Sequence, residues 1–60
     1  MTPGYAIVWT SNDTPPRTHY LSKQSTWSLE ANDAQVFETW AIAKSRSRAF
    51  KGSDVVEAWV

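Results

Sequence analysis

A chain of 60 residues with no cysteine has to hold itself together by burial alone. A domain this short covers only about 60% of the surface that its unfolded chain exposes. Natural proteins of this size commonly add disulfides, a metal, a partner or unusually large core side chains. Disulfides and cysteine-based zinc modules are excluded here. His19 is the single histidine, so a metal site would have to be completed by carboxylates. No metal and no other cofactor is expected. Large side chains or association remain. Four Trp, two Tyr and two Phe supply the large side chains, each able to bury about 150–250 Å². Most are expected in the core. One or two Trp are expected to be left over for binding, because Trp and Tyr are favoured interface anchors.

Hydrophobic patterning sets the element order. Tyr5-Ala6-Ile7-Val8-Trp9-Thr10 alternates, with Tyr5, Ile7 and Trp9 on one side and Ala6 and Val8 on the other. It reads as a strand over about 5–10. Ser11 to Pro16 is a loop of turn formers, and its proline pair stops both strand and helix. A strand over about 18–22, a polar turn at Lys23-Gln24-Ser25 and a short strand over about 26–29 follow. Glu30 to Asp33 is a second turn.

The stretch from Ala34 to Lys51 is helical in composition, and its start has two readings. Asn32 or Asp33 could cap a helix beginning at Ala34, or Thr39 could cap a shorter one over about 39–51. In either case Trp40, Ala43, Ser47 and Phe50 recur at helical spacing and define the inward face. Gly52 is the expected stop. The last strand spans about 54–60. Val56, Ala58 and Val60 point one way; Val55, Glu57 and Trp59 point the other. No residue of the sequence follows to cover its edge.

The order β-β-β-α-β predicts an α+β fold: a small antiparallel sheet of three to four strands on one helix, as a single domain over 1–60. The second sheet face is expected to be open, with Trp9 and Trp59 on a shared face. No apolar run approaches the roughly 20 residues of a membrane helix. The start is not a basic-then-apolar targeting segment.

Little in the sequence suggests catalysis. His19 lies in a strand away from any nucleophile elbow. The two glycines cannot form a phosphate loop. Glu30 and Asp33 sit in one turn and do not make an acid–base pair. No catalytic residue is assigned, and a non-enzymatic protein is expected.

Charge is the uneven feature. Six basic residues balance six acidic ones, yet Lys44, Arg46, Arg48 and Lys51 fall within one run that contains no acid. On a continuous helix Lys44, Arg48 and Lys51 would align, with Arg46 aside. The run has three readings. It reads as a solvated helix end complementing the helix dipole, as a patch for an acidic protein surface, or as a phosphate-binding patch. The residues expected to meet a partner are Lys44, Arg46, Arg48, Lys51, Trp9 and Trp59. Zero net charge also gives weak colloidal repulsion, so a homodimer is expected through the 55–60 edge or the open sheet face.

Five segments carry a resemblance: Tyr20-Leu21-Ser22, Trp27-Ser28, Ala34-Gln35-Val36-Phe37-Glu38-Thr39, Ala43-Lys44 and Val55-Val56-Glu57. Together the string is similar to very small bacteriophage and prophage accessory proteins. The resemblance implies a binding role in the host bacterial cytoplasm against a host protein, as in host takeover or in inhibition of defence systems such as CRISPR. It favours Thr39 as the helix cap. The chain departs from the pattern at Trp40-Ala41-Ile42, an apolar stretch that either deepens the core or makes a sticky patch. A nucleic-acid-binding module and a virion structural component are the alternatives.

Overall fold

The computed structural model describes residues 3–59, with side-chain surroundings for residues 4–58. Four strands and one helix are present: β1 (Pro3–Thr10), β2 (Thr18–Leu21), β3 (Trp27–Ser28), α1 (Trp40–Ser47) and β4 (Asp54–Trp59). A 3₁₀ turn at Ala31–Asp33 lies between β3 and α1. The strands form one four-stranded antiparallel sheet in the order β3-β2-β1-β4. The α+β class expected from the element order is thus observed.

The alternation read in β1 sorts its two faces. Ile7 is fully buried and forms the core with Leu21, Phe37 and Ala43, and Tyr5, Trp27, Phe50 and Val55 pack around them. This is the face that α1 covers. Helix α1 lies close to the sheet because its buried positions are small. Only Ala43 and Ser47 are buried on it. The Thr39 hydroxyl accepts from the Ile42 N–H at 3.2 Å and so starts the helix, as the shorter reading predicts.

The helix is shorter than expected at its other end and stops at Ser47 rather than near Lys51. The Ser53 hydroxyl donates to the Phe50 carbonyl at 2.6 Å and lies 3.1 Å from the Ser47 carbonyl oxygen. It thereby serves carbonyls that a longer helix would have bonded internally. Gly52, at φ 82°, turns the chain back toward β4.

The second sheet face, expected to be open, is open in part: Val56 is 39% exposed on it, whereas Ala6 and Val8 are buried. Beyond Leu21, β2 leaves β1, and the segment 34–37 fills the gap. Gln35 N–H donates to the Leu21 carbonyl at 2.8 Å. Tyr5 and Phe37 exchange backbone bonds of 2.9 and 2.7 Å. Val36 then crosses Gly4, where a Cβ would collide with its Cγ1.

Candidate interaction surface

Helix α1 turns 100° per residue at 3.6 residues per turn. Ala43 and Ser47 mark its buried direction. Ala41 and Ser45 then form the opposite crest. Trp40 and Lys44 run along one flank, and Ile42 and Arg46 along the other, each pair at i,i+4 spacing. Trp40 is 53% exposed and Ile42 is 52% exposed. Lys44 Nζ lies 5.9 Å from the Trp40 ring centroid, a cation–π contact. Ala41, Ile42, Ser45 and Arg46 line a shallow hollow on the crest.

Trp40 is a correction to the helical-spacing reading, which placed it inward. Phe37 already fills the core beside Ala43. Trp40 opens the first helical turn and instead lies against Lys44. Trp40 and Ile42 of the apolar stretch Trp40-Ala41-Ile42 are exposed on opposite flanks of α1, and the stretch does not deepen the core. Trp40 and Ile42 are not among the residues expected to meet a partner, although the sequence departs from the phage-protein pattern at this stretch.

The four expected cations do not act as one patch. Lys44 and Arg46 lie on opposite flanks of α1. Arg48 is exposed at the C-cap. Lys51 is beyond the helix, so the expected alignment of Lys44, Arg48 and Lys51 is lost. Lys51 instead joins Trp9, Trp27 and Phe50 around a cleft of about 350 Å³. Trp9 and Lys51 are thus brought together.

The aromatic side chains of this cleft form a continuous run. Trp9 pairs with His19 across β1 and β2, and their rings stack at 4.1 Å and 7°. Trp27 meets Trp9 edge-on at 6.2 Å and Phe50 edge-on at 5.6 Å. His19, expected in a strand, lies half-buried in β2. Trp59 pairs with Pro3 through the backbone, at the end of β1 remote from Trp9. Its side chain, and with it the shared aromatic face, lies outside the described residues.

Searches of protein-family models, curated proteins and solved structures found no match to this chain.

On the other face, Ala6, Tyr20, Val36, Val56 and Ala58 line a groove of about 420 Å³ beside the 3₁₀ turn. Among the described residues, no three His, Asp or Glu side chains gather as a metal site would require. No helix there is long and apolar enough to cross a membrane.

Proposed function

We propose that this chain is a non-enzymatic binding protein that engages another protein through the outer face of α1. One observation carries the reading. Two large apolar side chains, Trp40 and Ile42, are half exposed on a short helix whose structural work is done by Ala43 and Ser47. Neither is needed for the core, and both suit an interface. Trp and Arg are enriched among residues that dominate binding energy, and Arg46 and Lys44 stand beside these apolar groups. The two cations favour a partner with acidic residues around an apolar contact. The small crest of Ala41 and Ser45 lets such a partner approach closely.

The resemblance to small phage proteins supports a host bacterial protein in the cytoplasm as the partner, and inhibition or redirection of that protein as the outcome.

The test is comparative capture from bacterial lysate with the wild-type chain, Trp40→Ala and Ile42→Ala. Both side chains are exposed, so both variants should keep the fold. A protein held by the wild type should be weakened at least about tenfold by either change, as expected for an interface anchor. Equal capture by all three chains would overturn the assignment of this face.

A second reading rests on the cleft. Trp9, Trp27 and Phe50 beside Lys51 have the residue types of a base-stacking site with a phosphate contact. It predicts single-strand binding that weakens steeply with salt and is lost in Trp9→Ala and Lys51→Ala. Absence of binding at low salt would remove it.

A further inference from the structure

The two edges of the sheet are unequal. β3 is two residues long, whereas β4 is a six-residue strand. Short edge strands resist further pairing, and long ones invite it.

The backbone groups that β4 leaves free follow from its neighbour. Tyr5 spends its N–H and its C=O on Phe37, so both point away from β4. Tyr5 and Glu57 are register partners, and they are therefore a non-hydrogen-bonded pair. Such pairs alternate with hydrogen-bonded ones in an antiparallel ladder. The bonded pairs are accordingly Gly4–Ala58, Ala6–Val56 and Val8–Asp54. Ser11 agrees with this alternation, because its N–H donates to Arg17 on the β2 side. The N–H and C=O of Val55 and Glu57 thus face outward, where the sheet has no further strand among the described residues.

We infer that a second copy of this chain pairs with this edge, antiparallel, about a two-fold axis at Val56. The register follows by elimination. Bonds across the edge need outward residues opposite outward residues, which limits a symmetric pair to axes at single residues. An axis at Glu57 sets two carboxylates directly opposite each other, which is unfavourable. Axes at Val55 or Ala58 leave much of the strand unpaired. An axis at Val56 sets Val55 against Glu57 and Asp54 against Ala58 on both sides, so no like charges meet.

The same axis disposes of an exposed apolar group. Val56 is 39% exposed and lies on the groove face with Ala6, Tyr20 and Ala58. Opposite its own copy in a non-hydrogen-bonded pair, it gains an apolar neighbour at the closest spacing that a sheet offers. The two grooves become one continuous surface, and the two α1 helices lie on the other face. The inference is independent of the partner proposed for α1.

Single-cysteine variants test it, since the chain has no cysteine of its own. Non-hydrogen-bonded Cα atoms are about 4.5 Å apart, within the range that a disulfide spans. Under mild oxidation Val56→Cys should form a covalent dimer at least about tenfold faster than Val55→Cys or Glu57→Cys, with circular dichroism confirming that each variant is folded. In the wild type, amide exchange at Val55 and Glu57 should slow as concentration rises, while Val56 and Ala58 stay as they are. Fastest cross-linking at Glu57→Cys would overturn the register. A wild-type chain that sediments as a monomer at high micromolar concentration, with no concentration-dependent protection, would overturn the dimer.

Discussion

Trp27 joins Trp9 to Phe50, beyond the end of α1, and replacing it should show how far aromatics substitute for absent disulfides. Its ring makes edge contacts with Trp9 at 6.2 Å and Phe50 at 5.6 Å. Each such pair contributes about 0.5–1.5 kcal/mol beyond area burial. Trp27→Leu keeps an apolar side chain but deletes both contacts, so the expected loss is about 1–3 kcal/mol. A 60-residue domain has a total stability of roughly 3–9 kcal/mol, so this is a large share. Each kcal/mol shifts the midpoint of a domain this small by about 4–8 °C. Thermal unfolding followed by far-UV circular dichroism on Trp27→Leu, Phe50→Leu and the double variant isolates the pair. The coupling should be about 0.5–1.5 kcal/mol. Single losses that add to within about 0.3 kcal/mol would refute the idea that these rings stabilise one another.

Other substitutions test the local geometry, each by the same melts. Thr39→Ala should cost about 1 kcal/mol through loss of the cap to Ile42, and Thr39→Ser should recover most of it. Gly4→Ala should destabilise by roughly 1–3 kcal/mol because its Cβ collides with Val36, and adding Val36→Ala should restore part of the loss. Gly52 and Ser25 both have positive φ, at 82° and 62°, and should respond with opposite signs. Gly52→Ala has open space around the new Cβ and should still lose about 1 kcal/mol to backbone strain, whereas Ser25→Gly should be neutral or stabilising.

The strands were readable because their signal is local. Tyr5 to Thr10 alternates cleanly, and the inward set Tyr5 and Ile7 is found on the helix side. The cap at Thr39 was readable for the same reason. The helix end was not. Ala49, Phe50 and Lys51 continue a helical composition, and nothing in one dimension shows that the Ser53 hydroxyl reaches back to the Phe50 and Ser47 carbonyls. The filling of the gap between β1 and β2 by residues 34–37 was equally hidden, since it depends on Tyr5 meeting Phe37 across the fold. The charges of the run from Lys44 to Lys51 are plain in the sequence, whereas the exposure of Trp40 and Ile42 is not. Helical spacing places Trp40 near Ala43 and Ser47, and only the occupation of the core by Phe37 turns it outward. Trp9 and Lys51 are both expected partner contacts, yet their meeting in one cleft follows from a helix that ends early.

Site-specific photo-cross-linking in bacterial cells tests most directly whether the outer face of α1 meets a protein. A photoreactive side chain at position 42 reports on the flank beside Arg46, and one at position 24, in the exposed β2–β3 turn, serves as the control. A discrete protein adduct at position 42, absent at position 24 and abolished by Trp40→Ala, is the predicted result. No protein adduct at position 42, or the same adduct in equal yield from position 24, would contradict it.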